Sequence, residues 1–367
     1  MMLKSLLLSS DERTVRVLRR VLSDLEIAVE HCSASEDAVR NITRHRFEAI
    51  IVDCSNAEES GNVIRASKAA PVNKRALSIV LVDAVGGLKA GFEMGAHFVL
   101  HKPLAVERAK ASFRAVRALM KSERRLQMRI PVQIPVACVG ARQYQAKTID
   151  LCEGGMALHF VGRVAKEASL RFSLELPGTA KKLEVWGELA WEGDGERAGV
   201  RFNNISDSQR KTLRDWMHKQ IPECEPDDPP VLSRLSNLSQ GACYVTTGSP
   251  FPKSTRVILY VPTPASEVRA AGVVRVVHPE YGMGIEFLQA TTEQRDQVVR
   301  ILEILRAGEE LPDIHIEPDG LEPISIEDNS GSPHDDSLVH LFQQHAQASV
   351  EVFLQQMQQC TLQESRS

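Results

Sequence analysis

Arg124-Arg125-Leu126-Gln127-Met128-Arg129-Ile130-Pro131 and, further along, Asp150-Leu151-Cys152-Glu153-Gly154-Gly155 are the stretches on which the reading of this 367-residue sequence turns. Arg125 and Arg129 stand four apart at the head of an alternating apolar/polar run, Val132–Val139, which reads as a strand. Guanidinium groups are planar, permanently charged forks that match phosphate oxygens and stack on aromatic bases. The acid, small residue and paired glycines of 150–155 read as a strand end and tight turn, where glycine lets backbone and ligand approach closely.

Together and in this order, the two elements resemble the PilZ domain, whose R-x-x-x-R and [D/N]-x-S-x-x-G motifs bind the bacterial second messenger cyclic di-GMP. Arg125 and Arg129 fill the first motif; Asp150 and Gly155 fill the ends of the second, with Cys152 where the family has Ser. The resemblance implies a small β-barrel with a terminal helix and a cyclic di-GMP site made of Arg124, Arg125, Arg129, Asp150, Cys152 and Gly155. The arginines would clamp phosphate or guanine edges, Asp150 would accept from a guanine N–H or orient an arginine, and Cys152 and Gly155 would shape the strand end. A thiol hydrogen-bonds more weakly than a hydroxyl, so Cys152 is the departure that matters.

Residues 122–220 fit that expectation as an antiparallel β domain. Val132–Val139, Ala157–Val161, Leu170–Leu176 and Leu183–Ala190 are separated by turn residues, and a helix over Asp207–Lys219 follows Gly199-Val200-Arg201-Phe202. Residues 221–308 repeat the pattern. Asp150 through Leu158 is echoed by Asn237 through Val245; Gly187 to Phe202 and Gly272 to Phe287 are both fifteen residues apart. Matched offsets indicate duplication, because a duplicated domain must keep its strand registers. The second copy has no arginine pair: Pro222 through Pro230 is acidic and proline-rich, Arg234 stands alone, and Ala242 replaces the last glycine. It is therefore expected not to bind nucleotide.

Upstream, residues 1–121 alternate short apolar runs (Leu6–Leu8, Ala49–Val52, Ser78–Val82, Phe98–Leu100) with helical patterns (Thr14–Leu25, Val106–Met120), the signature of a doubly wound parallel sheet. This part resembles the response-regulator receiver domain. Asp53 falls where the family carries its phosphoacceptor and Lys102-Pro103 matches the conserved Lys-Pro, but the acidic pair that holds Mg2+ is replaced by Ser9 and Ser10, and the hydroxyl switch by Asp83. Mg2+ requires hard, charged oxygen ligands, so the domain is expected to be degenerate and metal-free, a docking or dimerisation module with Asp53 and Lys102 as a structural ion pair. Phosphorylation of Asp53 is the competing reading.

The remaining features bound the function. Residues 309–336 hold ten acids and no Lys or Arg, so with a net charge of −4 the rest of the chain carries about +6, far from the footprint of a dedicated DNA binder. Like-charge repulsion and few apolar residues predict a disordered linker there. Over 337–363, Leu338, Leu341, Phe342, Ala346, Val350, Phe353, Leu354 and Met357 recur at helical spacing, with a Gln-rich polar face unsuited to membrane surfaces. That helix packs on the body, self-associates into a homo-oligomer or captures a partner. Seven scattered cysteines without a C-x-x-C pair, and no apolar run near membrane-spanning length, point to a cytoplasmic protein. No catalytic set, metal spacing or cofactor motif is present. The expectation is a non-catalytic cyclic di-GMP effector acting on a protein partner by domain reorientation; the alternative is an interaction scaffold that has lost both inputs, or a phosphorylation-gated regulator.

Overall fold

The structure, a computed structural model, describes residues 2–83, 87–140, 142–162, 170–179, 181–193, 196–221, 228–262, 267–289, 292–306, 312–322, 336–345 and 352–357. The chain forms two compact units, one of Arg124–Pro226 and one of Met2–Glu123 with Asp227–Ser367.

The larger unit begins with β1 (Leu3–Leu8), α1 (Glu12–Asp24), β2 (Ile27–Cys32), α2 (Ser35–Arg44), β3 (Ala49–Asp53), α3 (Ala57–Ala69), β4 (Leu77–Val82), α4 (Gly87–Glu93), β5 (Phe98–His101) and α5 (Val106–Gln127). The strands are parallel in the order β2-β1-β3-β4-β5, the receiver topology. Strands β3 and β4 are buried throughout because helices cover both faces: α1 and α5 on one, α2 and α3 on the other. Asp11 starts α1 by accepting from the N–H groups of Arg13 and Thr14, a cap worth about 1 kcal/mol. Helix α5 extends well past Met120 and carries Arg124 and Arg125 in its last turn. The junction into the smaller unit is thus helical up to Gln127.

The smaller unit contains β6 (Ile130–Pro131), β7 (Pro135–Val139), β8 (Gln143–Cys152), β9 (Gly155–Phe160), β10 (Leu170–Glu175), β11 (Lys182–Glu192), β12 (Arg197–Asn204) and α6 (Asp207–Gln220). Its sheet runs β6-β8-β7-β10-β11-β12-β9, and pairing of β9 with β8 closes it into a barrel. Met156, Leu158, Phe172, Val185 and Val200 alternate inward to form the core, and Leu213, Trp216 and Met217 of α6 pack against it.

The second barrel, in the larger unit, contains β13 (Val231–Leu238), β14 (Ala242–Thr246), β15 (Thr255–Pro262), β16 (Glu267–His278), β17 (Gly282–Phe287), α7 (Thr292–Arg306) and β18 (Asp313–Leu321), closed in the order β13-β14-β17-β16-β15-β18. Strand β18 corrects the linker expected over 309–336. Asp313-Ile314-His315-Ile316 alternates, both isoleucines are buried, and the acids find cations or hydroxyls: Asp319 meets Arg256 at 2.6 Å and Glu317 accepts from Tyr260 at 3.0 Å. Local alternation therefore outweighs acidic composition. In the first barrel β7 lies between β8 and β10; in the second β18 lies between the corresponding β13 and β15, antiparallel to both, but comes from the other end of the repeat. The closing strand is circularly permuted.

Helix α5 anchors both ends of the excursion into the smaller unit. Glu123 pairs with Arg75 at 2.8 Å and accepts from the Leu321 N–H, while Lys121 and Arg117 meet Asp228, 2.8 Å from Lys121 Nζ. Arg117 and Lys121 are thus engaged in ion pairs. At the C-terminal side, α8 (Ser337–His345) and a helical segment at 352–357 lie on the second barrel; 346–351 and 358–363 of the expected helix, and 309–311 and 323–335 of the expected linker, fall outside the described residues.

Candidate functional site

The β8–β9 turn, Glu153-Gly154, places Cys152 directly opposite Gly155, and Asp150 opposite Ala157. Strand β6 pairs Pro131 with Asp150, which brings Arg129, the residue just before the strand, to the same edge. Arg129 Nη1 lies 2.6 Å from Asp150 Oδ1, and that oxygen also accepts from the Ala157 N–H at 3.3 Å. The Arg129 side chain remains 45% exposed, so its guanidinium is aimed yet accessible. Asp150 thus orients an arginine, one of the two roles considered for it.

Cys152 is buried and donates its thiol to the Gly155 carbonyl at 3.2 Å. Burial pushes the thiol up, opposed by the nearby Arg129 charge, so it stays protonated and serves as a donor. The corresponding Ser239 hydroxyl in the second copy occupies the same place, 3.1 Å from the Ala242 carbonyl. The Cys-for-Ser departure therefore preserves the local turn. A Cβ on Gly155 would sit 2.2 Å from the Val200 carbonyl oxygen on β12, which is why this position requires glycine.

Arg125 is paired within the protein. Its Nε is 3.1 Å from Glu153 Oε1, and Arg214 of α6 reaches the same oxygen at 2.9 Å. Glu153 is fully buried and Arg125 only 8% exposed in its side chain. Arg124, in the same helical turn, is also buried. The structure thus brings Arg129, Asp150, Cys152 and Gly155 together, and ties Arg125 to the turn from behind.

Glu153 and Arg214 escaped the sequence reading. Glu153 did carry a signal, a charged residue inside a tight turn between motif positions; Arg214, sixty-one positions away, carried none. On the outer face of the barrel, Arg201 stands opposite Gly155 and Gly199 opposite Ala157. Trp191 lies across Gly199, where a Cβ would come within 1.9 Å of the indole nitrogen.

The receiver-like site is closed on itself. Asp53 Oδ2 accepts from Ser9 Oγ at 2.7 Å and Oδ1 from Lys102 Nζ at 2.7 Å; Lys102 also meets Asp83 at 3.0 Å. Asp11, the nearest spare acid, is used as the α1 cap. With both oxygens of Asp53 engaged and serines in place of the acidic pair, these residues do not fit Mg2+. Among the described residues no group of His, Cys, Asp and Glu side chains is arranged to hold a metal, and no helix is long and apolar enough to cross a membrane.

This is the architecture of a receiver-like α/β domain coupled to small β-barrels whose motif residues converge on one turn. Residues 123–219 and 221–303 match the PilZ domain, two consecutive matches that follow the α/β domain. Similar solved structures each cover part of it. A chemotaxis response regulator of Vibrio cholerae is 20% identical, with 32% of this chain and 99% of that one covered and a TM-score of 0.30. The PilZ domain of CeSA from a cellulose-synthesising bacterium is 19% identical over 25% of this chain and 97% of that one, with a TM-score of 0.22. The Bacillus subtilis inhibitor of motility is 14% identical over 26% of this chain and 50% of that one, with a TM-score of 0.23. No curated protein matches the chain in sequence.

Proposed function

We propose that the chain is a non-catalytic signalling effector that binds cyclic di-GMP through its first PilZ domain and relays binding to a protein partner. The observation that carries this reading is the accessible Arg129, oriented by Asp150 beside Cys152 and Gly155 at the turn of a PilZ-matching domain. Arg129 takes a phosphate oxygen or a guanine edge, Asp150 fixes its fork, and Gly155 keeps the floor low. Arg125, with Arg124 beside it, joins the ligand by exchanging Glu153 for phosphate. Because Arg125 belongs to α5, that exchange pulls on a helix shared with the receiver-like domain, which passes the signal to the partner. Helix α5 already extends through Arg125. Neither metal nor DNA nor membrane is needed.

Calorimetric titration of the full chain with cyclic di-GMP tests the site. A hydrogen bond to a charged group contributes about 1.5–3 kcal/mol, so Arg129→Ala is expected to weaken binding by ~10- to 150-fold. Equal heats for wild type and variant would remove the assignment. The alternative, a scaffold without ligand or phosphoryl input, is favoured by the self-satisfied Asp53 and by the Arg125–Glu153 pair; absence of heat from wild type would establish it.

A further inference from the structure

The register of the two barrels identifies equivalent positions. Asp150, Cys152 and Gly155 correspond to Asn237, Ser239 and Ala242; Ala157 and Gly199, paired in the first copy, correspond to Tyr244 and Gly284, paired in the second. The face that holds the candidate nucleotide site in the first barrel is covered in the second by the C-terminal segment of the same chain.

The covering contacts use the motif positions themselves. Asp336 is buried, with Oδ1 accepting from the Ser239 hydroxyl at 2.8 Å and Oδ2 from the Gly241 N–H at 2.7 Å, while Oδ1 also caps α8 through the N–H groups of Leu338 and Val339. At the other end of the segment, Asn237 donates its amide to the Met357 carbonyl at 3.5 Å. Between these polar ends, Phe353 is fully buried with its ring centroid 5.4 Å from Tyr244 and 4.7 Å from His278. Phe342 lies against Gly284, where a Cβ would fall 2.6 Å from the ring. In the first barrel the equivalent glycine, Gly199, is crossed by Trp191 of the adjacent strand; the position equivalent to Trp191 is Val276, too short to do so. The second copy thus receives its covering aromatic from the tail.

We propose that the second barrel is a peptide-recognition module that uses the face corresponding to the first barrel's motif turn to bind apolar helical residues, with 336–345 and 352–357 of this chain as its resident ligand. Ser239 and the Gly241 N–H read the acidic residue that starts the helix, Asn237 reads a backbone carbonyl at its far end, and the Tyr244–His278 pair with Gly284 reads two phenylalanines. This inference stands whether or not the first barrel takes a nucleotide. A face that recognises its own tail in cis also accepts the same sequence in trans once the resident copy is weakened.

The test uses the full chain with a protease site placed between residues 323 and 335, cut and then titrated with a fluorescent peptide of residues 334–360. Saturable uptake, weakened at least ten-fold by Asp336→Ala in the peptide and not displaced by excess cyclic di-GMP, is expected. A folded cut chain that takes up no peptide, or binds the wild-type and Asp336→Ala peptides alike, would overturn the proposal. The uncut chain carrying Asp336→Ala decides the same question without cleavage. It should capture wild-type peptide at least ten-fold more tightly than the uncut wild-type chain, and equal capture refutes the assignment.

Discussion

Glu153→Gln is the substitution that separates what holds the first barrel's turn from what would hold a ligand. The Glu153 carboxylate is fully buried and faces two guanidinium groups, Arg125 at 3.1 Å and Arg214 at 2.9 Å. The amide has the same shape but removes the negative charge, leaving two buried or half-buried cations without it. Breaking a buried pair in this way costs about 3–5 kcal/mol, because the remaining charge is uncompensated. For a unit of this size, 1 kcal/mol moves Tm by about 4–8 °C, so the first barrel should lose at least ~12 °C. All three tryptophans of the chain, Trp186, Trp191 and Trp216, lie in this barrel, so their fluorescence follows its unfolding selectively. A Tm loss below about 4 °C would correspond to under ~1 kcal/mol and would refute the claim that Glu153 anchors the turn. A second arm concerns function. If phosphate competes with Glu153 for Arg125, the variant binds cyclic di-GMP more tightly than wild type, and ligand at 100 times Kd returns about 2.7 kcal/mol, most of the loss. Unchanged or weaker affinity would remove Arg125 from the proposed ligand set while leaving Arg129 in place.

Two further outcomes follow from the receiver-like domain. Acetyl phosphate with Mg2+ should not label Asp53, since Ser9 and Lys102 engage both of its oxygens; stoichiometric phosphorylation detected by mass spectrometry would overturn the closed-site description. His97 accepts the Ser78 N–H on its Nδ1 at 2.8 Å, and burial, helped by the charge of Lys68, pushes its pKa from 6.5 down to about 4. A depressed folded-state pKa means that the unfolded chain binds the extra proton. His97 therefore contributes full stability above pH 6.5 and loses it as pH falls toward about 4, by up to about 3 kcal/mol. Urea unfolding at pH 7 and pH 5 should show this slope in wild type and a smaller one in His97→Gln; equal slopes would refute it.

Much of this molecule is legible in the sequence where physics is local or repeated. Unbroken apolar runs at Ala49–Val52 and Ser78–Val82 announce strands buried on both faces, and the fifteen-residue spacing of Gly187–Phe202 and Gly272–Phe287 announces two copies of one strand register. The illegible parts depend on which distant segments meet. Acidic composition over 309–336 argues for solvent, yet Ile314 and Ile316 alternate into the second barrel, where β18 fills the place between β13 and β15. Arg125 belongs to the motif by spacing, but its partner is chosen by the fold, which brings Arg214 and Glu153 to the same place across sixty-one residues.

The two barrels also indicate why one fold can carry two recognition chemistries. Inward positions stay apolar in both copies: Met156, Leu158 and Val200 in the first, Cys243, Val245 and Ile285 in the second, all buried at matching registers. Several outward positions on the same strands diverge, while Gly199 and Gly284 stay the same. Ala157 becomes Tyr244, Arg201 becomes Glu286 (held by Arg275 at 2.6 Å), and Trp191 becomes Val276. Because side chains alternate between faces, each outward exchange changes the ligand surface without disturbing the core. Arg129 and Arg201 beside small residues suit a flat, doubly negative ring; Tyr244 and Glu286 at the corresponding places suit apolar helix residues instead. The permuted strand β18 is consistent with this separation, for it replaces a core-facing strand far along the chain while leaving β14 and β17, which carry the recognition face, in their original register.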